Sequence, residues 1–192
     1  MSVEDRLQEI GRDPRLTPEL RSIVEQELTI PIGIDVRYCQ VRDLLDPKPQ
    51  WPARQHVWIK ALSSLPDTPD IHQAVIAYCS DRILLGTAYY PYALLGFHSR
   101  IKFQTSLDHS IWFHDDFSFE KTDELDRSEP IQRSSDIPAI PAKVPIRADD
   151  WLLYEVECPA HRHHRAWALG RVWTRHGRHI ATCAQEGLVR SC

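Results

Sequence analysis

The run TPDIHQAVIAYCS (68–80) is helical in period and apolar on nearly every side, and the segments downstream of it change to a period of two. In WLLYEVEC (151–158), Leu152, Tyr154, Val156 and Cys158 share one face. RAWALGRVWT (165–174) and HIATCAQEGLV (179–189) flank Arg175-His176-Gly177-Arg178, whose glycine suits a tight hairpin. One helix followed by long antiparallel strands implies an α+β fold with a sheet wrapped around the helix. Thr68 and Pro69 mark the helix start, a capping hydroxyl followed by proline at the first helical position. Ile71, Ala74, Val75 and Tyr78 form one stripe, with Ile76 and Cys79 elsewhere, so the helix should be buried on most sides.

The remaining chain divides around that unit. Residues 1–50 read as an N-terminal linker or extension with one short helix in PELRSIVEQEL (18–28). Pro31, Pro47, Pro49 and Pro52 make 31–53 irregular. Residues 51–192 form the main domain, with QHVWIKA (55–61) extended. The stretch 118–146 is rich in Ser, Asp, Glu and Pro and reads as a disordered insertion that projects from the domain and supplies no essential core residues. The 192 residues suit one domain plus extensions, and a net charge of −4 offers no basic footprint for nucleic acid. No apolar run reaches the roughly 18 to 20 residues that span a bilayer, and the opening MSVEDRLQEIGRDPR is too charged for a secretory signal. Five scattered cysteines imply reduced intracellular thiols, with Cys79, Cys158 and Cys183 as small buried residues.

Two strand-like segments carry polar residues that packing does not explain. SLDHSIWFH (106–114) sets Asp108 and His109 beside Ile111, Trp112 and Phe113 in a strand expected over 106–115. AQEGLVR (184–190) sets Gln185 and Glu186 beside Leu188 and Val189, and Asp81 closes the apolar run AVIAYCS. Acids and amides in such places point to chemistry or to a specific hydrogen bond. Taken singly, Asp81 is a helix-end residue, Ser106 a strand-start hydroxyl and Gln185 an edge-facing amide. Asp108 and His109 invite a catalytic dyad but read as structural, binding backbone or each other. HRHHR (161–165) invites a metal site but reads as a solvated loop, without carboxylates or cysteines at ligand spacing.

The order VWIKA, LPD, HQAVIAYCSD, SLDHSIWFH, RADDWLLYEVE, GRVWTRHGRHIATCAQEGLVR resembles the type II, TesB-like, acyl-CoA thioesterases over about residues 50–117 and 147–190. The resemblance implies a hot-dog fold, one long buried helix wrapped by an antiparallel sheet, here as a single C-terminal copy of a double hot dog. It implies hydrolysis of fatty acyl-CoA to free acid and coenzyme A, with Asp81, Ser106 and Gln185 as the catalytic residues holding the attacking water. The resemblance implies that no metal or cofactor takes part. The residue types suit this chemistry, since a carboxylate accepts the proton of the water while a hydroxyl and an amide fix its orientation.

The departures from the family pattern are the insertion 118–146, the HRHHR loop in place of a small glycine-rich one, and the missing N-terminal copy. A lone copy leaves an exposed sheet edge and an uncovered apolar face holding Trp112, Trp167 and Trp173. A homodimer, or pairing with another hot-dog subunit, is expected to cover it. The family also implies a peroxisomal location in a eukaryote and a cytoplasmic one otherwise, although Arg190-Ser191-Cys192 differs from a Ser-Lys-Leu signal. The alternative function is a truncated, non-catalytic hot-dog paralogue that binds acyl-CoA or a partner thioesterase. A metal-dependent hydrolase would need three histidines to converge.

Overall fold

The computed structural model describes residues 2–30, 32–40, 51–89, 91, 101–119 and 144–191. Helices α1 (Val3–Gly11) and α2 (Pro18–Thr29) pack on each other through Ile10, Leu16 and Leu20. Strands β1 (Ile34–Tyr38) and β2 (Arg54–Ala61) precede helix α3 (Pro69–Leu84), which runs into a 3-10 turn over Leu85–Tyr89. Strands β3 (Ile101–Ser106), β4 (Ser110–Phe113), β5 (Leu152–Arg162), β6 (Arg165–Thr174) and β7 (His179–Ser191) follow. All pair antiparallel in the order β1-β2-β5-β6-β7-β3, and β4 also pairs with β7. The expected α+β class and wrapped helix are both present. Among the described residues, no helix is long and apolar enough to cross a membrane.

The inward residues of the central strands explain how the helix sits so close. Ala166, Ala168 and Gly170 on β6 and Ala181, Cys183 and Gly187 on β7 are small and buried, and α3 rests on β5, β6 and β7. A Cβ on Gly170 would lie 2.5 Å from the Tyr154 ring and 2.7 Å from Cys183 Sγ, and one on Gly187 would lie 2.4 Å from Leu85 Cδ2. Those two glycines therefore leave room for a buried tyrosine and for the turn that ends the helix.

The N-terminal end of α3 is tied down by the RAD segment. Arg147 pairs with Asp149 at 3.0 Å and with Asp67, and donates to Leu65 O at 2.8 Å. Asp149 Oδ2 in turn accepts the Leu65 N–H at 2.8 Å. Below it, fully buried His72 donates from Nε2 to Pro66 O at 3.0 Å and accepts the Ala148 N–H on Nδ1 at 2.9 Å. Two backbone segments thus fix one neutral tautomer.

Several expectations are corrected. The helix is buried along one face rather than on most sides: His72, Ile76, Cys79, Ser80 and Leu84 face the sheet, whereas Ile71 and Tyr78 are 38% and 47% exposed. One sheet covers one helical face only. The helix also continues a turn past Ser80, so Asp81 lies within it, and the Thr68 hydroxyl at the N-cap makes no capping hydrogen bond. Residues 31–53 are not wholly irregular, because β1 joins the sheet and buries Ile34 and Val36. A second N-terminal helix, α1, precedes the one expected, closed by a capping box between Ser2 and Asp5.

Of the expected strand 106–115 only Ser106 and Ser110–Phe113 lie in strands: β3 starts upstream at Ile101 and ends at Ser106, and the chain breaks at 107–109, where Leu107 N–H and the Asp108 side chain bind the backbone of Glu186. The segment 118–146 is not free of core residues: Ile146 is 1% exposed, and the Phe119 ring lies 4.9 Å from that of His72. Composition marks such a segment as polar but does not show where its ends turn back into the core. The expected disorder of its interior, 120–143, lies outside the described residues.

Candidate active site

Asp81, Ser106 and Gln185 meet at one point. Asp81 comes from the last turns of α3, Ser106 from the end of β3, and Gln185 from the middle of β7. Gln185 is 1% exposed, and its Nε2 donates to Asp81 Oδ1 at 2.6 Å and to Ser106 Oγ at 2.8 Å. An ionised carboxylate only accepts, so the amide must present nitrogen to Asp81, which fixes the flip of the side chain. Both amide hydrogens are then committed. Oε1 remains a buried acceptor with no hydrogen-bond partner among the described residues. Buried acceptors of this kind are rare and call for a ligand or water hydrogen.

Register explains the convergence. Ser106 pairs with Gly187, two residues from Gln185, so both side chains fall on the inner face of the sheet. The small residues of β6 and β7 let α3 descend onto that face, and Leu85 fills the space over Gly187. Asp81 and Ser106 are exposed, so the trio opens to solvent on one side and is closed by Gln185 on the other.

A second polar layer supports the helix. The Tyr154 hydroxyl lies 3.2 Å from Ser80 O, to which it donates, and 3.0 Å from Cys183 Sγ. Burial pushes the Tyr154 hydroxyl and the Cys183 thiol above their ordinary ranges, and pushes the Cys79 thiol up to about 12. All three stay protonated and serve as packed hydrogen-bonding groups rather than nucleophiles. Cys79, Cys158 and Cys183 are buried free thiols, as the sequence suggests, while Cys39 is exposed.

The other sequence candidates take structural places. Asp108 Oδ1 accepts the Glu186 N–H at 2.8 Å, and His109 Nε2 lies 3.0 Å from Ser80 Oγ, so the two bind the frame rather than each other. HRHHR is the tip of the β5–β6 hairpin, with His163 and His164 at φ of 51° and 64°. Among the described residues, no group of three or more His, Cys, Asp or Glu side chains is placed to hold a metal. Sequence reasoning missed Ser80, Tyr154 and Gly187 as parts of the site. Tyr154 reads as an ordinary inward strand residue, and nothing local marks the other two.

A sheet wrapped on one long helix, with this site between helix and sheet, defines a hot-dog protein. A hot-dog-fold protein of unknown function from Alicyclobacillus acidocaldarius shares the architecture, with a TM-score of 0.53 at 16% identity over 83% of this chain and 46% of that one. The family itself follows from sequence. The acyl-CoA thioesterase profile matches residues 39–135 and the acyl-CoA thioesterase C-terminal domain profile matches 132–189, so the chain belongs to the acyl-CoA thioesterase family. It is 31% identical to rat (Rattus norvegicus) acyl-coenzyme A thioesterase 8 over 94% of this chain and 46% of that protein. The crystal structure of acyl-CoA thioesterase II TesB2 from Mycobacterium marinum superposes with a TM-score of 0.58 at 32% identity, over 83% of this chain and 50% of that one. The chain spans about half the length of the curated relatives it matches.

Proposed function

We propose that this chain hydrolyses fatty acyl-CoA thioesters to a free acid and coenzyme A, using a water held by Asp81, Ser106 and Gln185. The observation that carries the reading is the buried Gln185 amide, which joins the other two side chains and whose Oε1 has no hydrogen-bond partner among the described residues. Asp81 accepts a proton from the water as its oxygen bonds to the thioester carbonyl carbon. The carbon–sulfur bond then breaks, coenzyme A leaves as the thiol once that proton is returned, and the acyl group leaves as the acid. Ser106 accepts an N–H from Gln185, so its own O–H is free to orient the water, and Gln185 Oε1 accepts one of its hydrogens. Orientation of this kind removes entropy from the barrier before attack.

The test is release of free coenzyme A thiol from acyl-CoAs of varied chain length by the purified protein. Thiol release that Asp81→Asn abolishes supports the reading. Saturable acyl-CoA binding with no thiol released would instead favour a non-catalytic hot-dog protein, a reading that the half-length match to the relatives keeps in view.

A further inference from the structure

We propose that the dipeptide Asp108-His109 is a positioning clamp that sets the spacing of Asp81, Ser106 and Gln185; its effect on turnover rests on the hydrolase reading above. The dipeptide lies in the break between β3 and β4, two residues after Ser106. Each of its side chains holds the immediate chain neighbour of another site residue. Asp108 Oδ1 accepts the N–H of Glu186, the residue after Gln185, while Leu107 N–H donates to Glu186 O at 2.8 Å. His109 Nε2 reaches Ser80 Oγ, the residue before Asp81, at 3.0 Å.

The direction of the second bond follows from proton count. Ser80 Oγ donates its single hydrogen to Ala77 O at 2.8 Å, so His109 Nε2–H is the donor to Ser80. Ser80 is fully buried, and its carbonyl also accepts from Tyr154. One short loop therefore grips strand β7 with an acid and helix α3 with an imidazole. An unbroken strand would commit these backbone groups to ladder pairing and leave the two side chains on opposite faces of the sheet. The interruption gives both side chains a partner at the site instead. Neither residue needs to touch substrate, and the carboxylate of Asp108 matters as an acceptor rather than as a charge.

The variants D108A, D108N, H109A and H109Q separate these roles, read as kcat and KM for a fatty acyl-CoA with unfolding midpoints measured alongside. D108A and H109A should lower kcat by about 10- to 100-fold, the scale of a misplacement near 1 Å, with KM within about twofold of wild type. D108N keeps an oxygen for the Glu186 N–H and H109Q keeps an N–H for Ser80, so both should retain most of the wild-type kcat. Full kcat in D108A and H109A overturns the clamp, and so does D108N failing as badly as D108A. If H109A does not fold, D108A against D108N decides.

A second readout is independent of turnover. The side-chain amide 15N–1H signals of Gln185 should shift in D108A and H109A and match wild type in D108N and H109Q. If the wild-type protein releases no thiol, the hydrolase reading fails. The amide signals then decide the clamp alone, and their constancy in D108A and H109A overturns it.

Discussion

The side-chain amide of Gln185 donates to Asp81 Oδ1 at 2.6 Å, joining a strand and a helix 104 residues apart in the chain. Asp81→Asn keeps an oxygen for that bond but removes the proposed base, so the fold should persist while turnover falls by roughly 10²-fold or more. Ser106→Ala and Gln185→Ala should each lose rate as well. Their losses should not add in the double variant, because both side chains hold one water. Thiol release at the wild-type rate by Asp81→Asn would contradict the assignment.

His72 makes stability depend on pH. Burial, with Arg147 adding to it, holds its imidazole below the ordinary 6.5, and protonation of Nδ1 would break the bond from Ala148 N–H. The unfolded chain therefore binds the proton more readily than the folded one. The stability His72 contributes is present above about pH 6.5 and is lost as pH falls from there through the depressed folded value. Urea unfolding at pH 7.5 and 5.5 should show the loss. His72→Gln, which keeps a donor and an acceptor but does not titrate, should shrink it. The slope left in that variant belongs in part to His161 and His179, which burial also lowers.

Gly170 is a packing requirement. Ala at this position would press its methyl into Tyr154 and Cys183, whose hydrogen bond lies directly beneath the helix. Overpacking of a tight core costs about 1–3 kcal/mol, so Gly170→Ala should lower the unfolding free energy by that amount. A change under about 0.5 kcal/mol, the range of ordinary surface substitutions, would show that the core yields there.

The hairpin tip at His163-His164 holds two non-glycine residues in the left-handed region. That conformation costs roughly 1–2 kcal/mol for each side chain, and two-residue hairpins that require it prefer Asn-Gly. The double variant His163→Asn/His164→Gly should raise the unfolding midpoint while leaving thiol release unchanged. A fall in the midpoint would show that the histidine side chains themselves stabilise the tip.

The parts of this fold legible in the sequence are those with strong periodicity. Alternation in WLLYEVEC, RAWALGRVWT and HIATCAQEGLV marks β5, β6 and β7, each within a few residues of its observed limits. The helix is equally plain, but its buried face is not, since His72 and Ser80 face the sheet while Ile71 and Tyr78 face outward. Hydropathy ranks residue types, and here hydrogen bonds to Pro66, Ala148 and Ala77 let polar residues be buried. Strand β1 is hidden because prolines surround a five-residue run, and the β3–β4 break because SLDHSIWFH alternates well enough to pass for one strand. Asp81 and Gln185 show in the sequence as polar residues at or within apolar runs, Ser106 and the grouping of all three only through the family resemblance, and their bonding is visible only in three dimensions. Ser80, Tyr154 and Gly187 act through shape and register, which no local pattern records.

Trp112 on β4 and Trp167 on β6 are 52% and 45% exposed on the sheet face away from α3, and Trp173 is half-buried on the same face, stacked on His179. On the other side, Ile71 and Tyr78 leave an apolar strip of the helix open. Stable interfaces bury on the order of 1,600 Å² in total and are anchored by buried aromatic residues. The 192 residues expressed alone should therefore form a homodimer, and light scattering at micromolar concentration should give twice the chain mass. Trp112→Ser/Trp167→Ser should shift the mass toward the monomer if the sheet face is the contact, and Ile71→Ser/Tyr78→Ser if the helix face is. Asp81, Ser106 and Gln185 all stand on one chain, so thiol release per chain should survive dimerisation. A monodisperse, fully active wild-type monomer would show that neither apolar surface needs a partner.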